Sequence, residues 1–225
     1  EISACLVGSE MCIRDSSYSI RRSRITDAQR DARAALQAVH GIELKQELID
    51  LKAIFPTSHA LIMEIGFGMG EATAIIAKNN PNNGYIAVDV HPPGVGKLLA
   101  RIIENDLTNI KVIEDDANVV LRYMIPDESL AGIHLYFPDP WPKSKHNKRR
   151  IVNEGFLKLI HPKIKMGGYI HIATDWVPYA ESIQAVFSAS SLFAGGVIDK
   201  PEWRPVTRFE GQGIDKDHAV NDMLY

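Results

Sequence analysis

The chain has 225 residues, a formal net charge of −3, and 45% hydrophobic and 24% charged residues, which suits one α/β core and is short for two. No apolar run approaches the roughly 18–20 residues that cross a bilayer, and the negative balance excludes a surface that is positive throughout, so a nucleic-acid partner must meet a local basic patch. The two cysteines, Cys5 and Cys12, form neither a zinc pattern nor a disulfide framework and fit a reducing cytoplasm.

In chain order, residues 1–16 lack a signal peptide's basic start and continuous apolar stretch. They resemble a string (CLVGSEMCIRD) that recurs at the ends of unrelated predicted proteins as a sequencing or adapter artefact, and they are expected to be foreign to the fold. Residues 19–33 are arginine-rich, with Arg21, Arg22, Arg24, Arg30 and Arg33. Thr26 is placed to cap an Ala-rich helix, DAQRDARAALQAV, and a second amphipathic segment over 47–55 stops at Pro56. Residues 17–56 are thus read as a helical N-terminal extension on a main domain over 57–225.

Apolar strands are predicted at 61–65, 85–89, 110–114, 132–137 and 169–174. Helices are predicted between and after them at 71–78, 97–104, 117–123, 149–160 and 179–188. The tail, 203–225, is expected to add two final strands. Strands that are nearly all apolar and alternate with helices indicate a parallel sheet covered on both faces, in one doubly wound α/β domain.

In such sheets ligands sit beyond the carboxyl ends of the strands. The first strand runs into Glu64-Ile-Gly66-Phe-Gly68-Met-Gly70. A dinucleotide fingerprint counted from Gly66 needs a third glycine at position 71, and that residue is Glu71. A carboxylate there repels a pyrophosphate seeking the helix N-terminus. A cofactor without phosphates fits better, and S-adenosylmethionine carries a sulfonium and an amino group that nearby acids such as Glu64 favour. Asp89 ends the second strand, where a carboxylate can bind a ribose diol. Asp115 and Asp116 end the third, and either can accept from an adenine amino group.

The fourth strand delivers Pro138-Asp139-Pro140-Trp141. Two prolines stiffen the chain around one acid, and an aromatic follows, which suits a nucleobase that stacks and donates to the acid. Guanine offers a carboxylate two adjacent donors, and its N7 carries a lone pair and no proton. Methylation at N7 needs alignment and favourable electrostatics, not a general base. The run Lys143-Ser-Lys145-His146-Asn-Lys148-Arg149-Arg150 leads into the expected start of the next helix, where cations oppose the helix dipole. Phosphates would neutralise that cluster, so Lys145, Lys148, Arg149 and Arg150 are expected to contact an RNA backbone.

These motifs resemble the bacterial tRNA (guanine-N7-)-methyltransferases of the TrmB type, over roughly residue 21 to the end. The marks are EIGFGMG at 64–70, HPPGVG at 91–96, FPDPWPKSKHNKRRIV at 137–152, ATDWVPYAE at 173–181 and RPVTRFEGQG at 204–213. The resemblance implies the class I S-adenosylmethionine-dependent methyltransferase fold, Rossmann-like, with a mostly parallel seven-stranded sheet ending in a reversed strand and helices on both faces. It implies S-adenosylmethionine held by Glu64, Gly66, Gly68, Gly70, Asp89, Asp116 and Asp139, with Asp139 the catalytic residue. It implies tRNA contacts at Lys143, Asp175, Thr207, Arg208, Phe209 and Glu210, and a variable-loop guanosine as the methyl acceptor. Asp89 stands where many relatives carry Glu, the chain stops at Tyr225 where relatives continue a few residues, and residues 1–16 are foreign to the family. No metal and no membrane partner is expected, and the assembly is a monomer or homodimer.

Three rival readings make different forecasts. A methyltransferase acting on an exocyclic amine or a protein side chain favours an Asn/Asp-Pro-Pro-aromatic turn, and would yield a product other than 7-methylguanine. An inactive tRNA-binding module would bind without turnover. A nicotinamide-dependent oxidoreductase conflicts with Glu71.

Overall fold

The computed structural model describes residues 34, 36–206, 210 and 219–225. The expected helix beginning near Thr26, and the arginines of 21–33, lie outside them, apart from a helical stretch at 36–40. The predicted segment at 47–55 contracts to one turn, α1 (Leu51–Ile54), because Asp50 Oδ1 accepts from the amides of Lys52 and Ala53 and ends the preceding chain there. The extension leans on the sheet: Ile42 N donates to Val112 O at 2.9 Å.

The main domain runs β1 (Ala60–Ile65), α2 (Glu71–Asn79), β2 (Asn83–Val88), α3 (Pro92–Glu104), β3 (Ile110–Ile113), α4 (Ala117–Tyr123) and β4 (Leu130–Tyr136). It continues with a 3-10 helix (Ser144–Arg149), α5 (Glu154–Ile160), β5 (Ile164–Thr174), α6 (Val177–Ser188), β6 (Gly196–Ile198) and β7 (Asn221–Leu224). The seven strands lie in the order β3-β2-β1-β4-β5-β7-β6. β1 to β5 are parallel, and β7 runs antiparallel to both β5 and β6. The order reverses between β1 and β4, so the loops leaving those two strands face each other across the switch point where α/β ligands bind.

One expectation is corrected. The predicted helix over 149–160 is divided, because Asn153 accepts from Phe156 N at 3.0 Å and caps α5. The basic run instead forms the separate 3-10 helix, so its cations do not oppose an α-helix dipole. Of the two strands expected in 203–225, β7 is the one among the described residues there; its partner β6, not expected, lies at 196–198, where three residues carry no readable alternation.

The two faces of the sheet differ. One packs Met63, Ile65, Ile133, Leu135, Ile170 and Ile172 against α4, α5 and α6 through Val120, Phe156 and Ile183. The other lays Ile62, Tyr85 and Ala87 under Ile76, Leu98 and Leu99 of α2 and α3, but toward β4, β5 and β7 it carries buried Glu64, His134, His171 and Asp222. No helix among the described residues is long and apolar enough to cross a membrane.

Candidate active site

The loop after β1 is shaped by three glycines with left-handed φ: Gly66 at 73°, Gly68 at 57° and Gly70 at 69°. Other residues adopt this region at a cost. A Cβ on Gly66 or Gly68 would meet nothing within 4 Å, so the loop presents bare backbone to open space, whereas one on Gly70 would sit 2.6 Å from Leu98 Cβ. Asp89 holds this loop in place. Its Oδ2 accepts from Gly68 N at 2.8 Å and its Oδ1 from His91 N at 2.9 Å. A carboxylate has about four acceptor positions, so capacity for a diol remains.

Glu64, on β1 just before the loop, is 3% exposed, and its Oε2 has no hydrogen-bond partner. Burial pushes its pKa up to about 7; the nearby Thr73 hydroxyl opposes this without reaching hydrogen-bond geometry, and the charge of Asp89 adds to it. An orphaned carboxylate oxygen beside the glycine loop is a place for a cation. Asp116, at the end of β3, caps α4 by accepting from Asn118 N at 2.7 Å, and Asp115 in turn accepts from Asp116 N at 2.7 Å. The three acids Glu64, Asp89 and Asp116 therefore rim the carboxyl ends of three adjacent strands. This set of acceptors fits S-adenosylmethionine, whose ammonium, ribose and adenine amine all donate.

Across the switch point, Phe137 N donates to Ala173 O at 2.8 Å and prolongs the β4–β5 pairing. Phe137 (φ 51°) and Trp141 (φ 44°) are both left-handed and bracket the Pro138-Asp139-Pro140 turn. For non-glycine residues such geometry costs on the order of 1–3 kcal/mol each and persists where the surroundings enforce it. The Asp139 carboxylate is on the exposed crest of the turn. Trp141 packs against the basic 3-10 helix: the Arg149 guanidinium lies 4.9 Å from its ring centre and His146 meets it edge-on at 5.8 Å. Lys143, Lys145 and Lys148 are exposed. Arg150, expected on an RNA backbone, is instead buried; its Nε donates to Pro140 O at 2.9 Å and its guanidinium covers the Tyr179 ring at 4.9 Å. Asp175 is half-buried at the end of β5, one strand from the Asp139 turn.

Beneath the turn runs a polar chain that sequence reasoning missed. Tyr136 OH and His171 Nδ1 are 3.1 Å apart, and His171 Nε2 and Asp222 Oδ1 are 2.8 Å apart. Arg204, 1% exposed, donates from Nε and Nη2 to Asp222 at 2.6 and 2.8 Å, and from Nη1 and Nη2 to Glu210 at 2.7 and 3.2 Å. Burial alone would raise the Asp222 pKa, but hydrogen bonds from His171 and Arg204 hold it below the ordinary carboxylate value. Glu210, expected on substrate, is 5% exposed and gripped by Arg204; Thr207, Arg208 and Phe209 lie outside the described residues. His134 lies close by: its Nε2 is 3.0 Å from Tyr169 OH and its Nδ1 has no partner. Burial first, and His171 second, lower its pKa to about 3, so it is neutral at pH 7. The available signal was the polar alternation in His134-Leu-Tyr136 and Tyr169-Ile-His171. Among the described residues no group of three His, Cys, Asp or Glu converges as metal ligands.

Residues 58–223 match the protein-family model described as "Putative methyltransferase". A tRNA (guanine-N(7)-)-methyltransferase of Streptomyces avermitilis is 46% identical over 223 residues, covering 97% of this chain and 77% of that protein. One from Nitrosospira multiformis is 46% identical over 212 residues, covering 93% of each. Among solved structures, the 16S rRNA methyltransferase KamB superposes with a TM-score of 0.57 at 15% identity, over 80% of this chain and 94% of that one. An antibiotic-related methyltransferase gives 0.53 at 16% identity, over 80% and 96%. At such identities the two structures show a shared fold: a seven-stranded, mostly parallel class I methyltransferase sheet with helices on both faces.

Proposed function

The chain belongs to the tRNA (guanine-N(7)-)-methyltransferases, and on that premise we propose that it transfers the methyl group of S-adenosylmethionine to N7 of a guanine in tRNA. The observation that carries the reading is the orphaned, buried Glu64 carboxylate beside the left-handed glycine loop, across the switch point from the Asp139 turn.

S-adenosylmethionine supplies an electrophilic methyl group on a sulfonium. Glu64 would take its ammonium, the bare backbone of Gly66, Gly68 and Gly70 would line it, and Asp89 and Asp116 would take ribose and adenine. The chain's own work on the acceptor is orientation. Asp139 accepts from the N1–H and N2 amine of guanine and balances the positive charge that develops on the ring. N7 has no proton to lose, so no general base is required. Lys143 and Asp175 flank the same opening, and Lys145, Lys148 and Arg149 present cations to the RNA backbone. The variable-loop guanosine as target, the tRNA contacts at 207–209, a cytoplasmic location and a monomeric or homodimeric assembly belong to the same reading.

The test is to incubate the protein with S-adenosylmethionine and unmodified tRNA transcripts, digest the RNA and measure 7-methylguanosine by mass spectrometry. A transcript with the variable-loop guanosine replaced is the control. Product from the intact transcript alone supports reaction and target together. A different methylated nucleoside, or cofactor binding without product, would overturn the reading.

A further inference from the structure

Two adjacent arginines leave the basic 3-10 helix in different directions. Arg149 stays half-buried against Trp141, whereas Arg150 turns inward, to the carbonyl of Pro140 and the ring of Tyr179, itself 0% exposed on α6. The carbonyl it holds belongs to the residue directly after Asp139. Pro138 and Pro140 have no N–H to lend the turn, and its flanking residues Phe137 and Trp141 are both left-handed. Arg150 holds it from outside the turn, with a charge-assisted hydrogen bond from a buried, stacked guanidinium.

We propose that Arg150 is a positioning residue for methyl transfer: it fixes the Pro140 carbonyl, and through it the Asp139 carboxylate, against α6, and it is not one of the cations that meet RNA phosphate. This rests on the reading of Asp139 as the group facing the methyl-accepting base. The run 143–150 then divides by function, with exposed Lys145 and Lys148 for the phosphate and buried Arg150 for the turn. Misplacing a reacting group by about 1 Å can lower a rate on the order of a hundredfold.

The experiment compares R150K and R150M with the unaltered full chain. It measures kcat and KM on tRNA transcript, S-adenosylmethionine affinity by calorimetry, the salt dependence of tRNA binding, melting temperature, and the rate of tryptic cleavage after Lys143 and Lys145. The expected result is a kcat at least tenfold lower in R150M and partly restored in R150K. KM, cofactor affinity and salt slope stay within twofold, and cleavage of the loosened run is several-fold faster. A raised KM with a flatter salt slope and retained kcat would make Arg150 a phosphate contact after all. A lower melting temperature with unchanged kcat, or loss of cofactor binding along with kcat, would make it scaffold only. Each of these overturns the proposal. If the unaltered chain transfers no methyl to N7, the functional reading fails instead, and unchanged cleavage in R150M would separately refute the clamp.

Discussion

The two faces of the central sheet are built from the same strands and behave as different materials. On one, Met63, Ile65, Ile133, Leu135, Ile170 and Ile172 pack into one apolar cluster. On the other, one residue out of phase, Glu64, His134, Tyr136, Tyr169, His171 and Asp222 lie side by side. The apolar face is held by contacts that are individually small and tolerant of exchange. The polar face depends on completeness, since each group is costly once its partner is gone. Both faces contribute to stability, and the second also places buried Glu64 and the supports of the turn at the sheet's carboxyl edge.

The sharpest way to break this contrast is to remove the hub of the polar face. Arg204→Leu removes the guanidinium shared by the buried carboxylates of Asp222 and Glu210, and an unfolding free energy lower by about 3–5 kcal/mol is expected from urea titration. Ile133→Ala on the apolar face should cost about 2–5 kcal/mol by the same measurement. Unlike the first, its cost should not vary with pH, because no titrating partner is lost. Should both losses show the same pH profile, the distinction between the faces fails.

Glu64 sharpens the contrast further. Its folded pKa of about 7 stands above the ordinary value of 4.5, so the folded state holds the proton more tightly. Its contribution to stability is fully present below about pH 4.5 and is lost as pH rises through about 7. Cofactor binding needs the opposite form, a carboxylate for the ammonium, so S-adenosylmethionine affinity should weaken about tenfold per pH unit below 7. Glu64→Gln should remove both dependences, as read by melting temperature and calorimetry between pH 5 and 9; an unchanged stability profile would remove Glu64 as their source. The smallest structural effect is expected outside the sheet. Lys148→Glu should alter stability by about 0.5 kcal/mol or less while weakening tRNA binding and flattening its salt slope. A slope equal to that of the unaltered chain would show that Lys148 meets no phosphate.

The apolar face was readable in advance, because strands such as LIMEI and GIHLYF are rich in residues that suit a buried parallel sheet, and α4 was found at its observed bounds. The glycine loop and the acids at the strand ends were equally plain, since φ and charge needs restrict residue type at single positions. The polar face was not. His134, Tyr136 and His171 were absorbed into strands read as nearly all apolar, and their partners Asp222 and Arg204 are 51 and 33 positions beyond His171. Arg150 was misplaced for a related reason: neighbouring cations look alike in a run, and only the fold turns one of them inward.

The position of β7 carries a last consequence, for the order of assembly. The strand is inserted between β5 and β6, and pairs His171 with Leu224 and Thr174 with Asn221. During synthesis β1 to β5 can pair before the rest of the sheet is made, but β6 must wait beside an open edge until β7 emerges. Pairings across such a span close slowly. Until they close, Arg204 has no Asp222 and the Tyr136–His171 pair has no anchor. The half of the molecule that supports the turn is therefore completed last, and a nascent chain that already displays its glycine loop still lacks the finished support for Asp139.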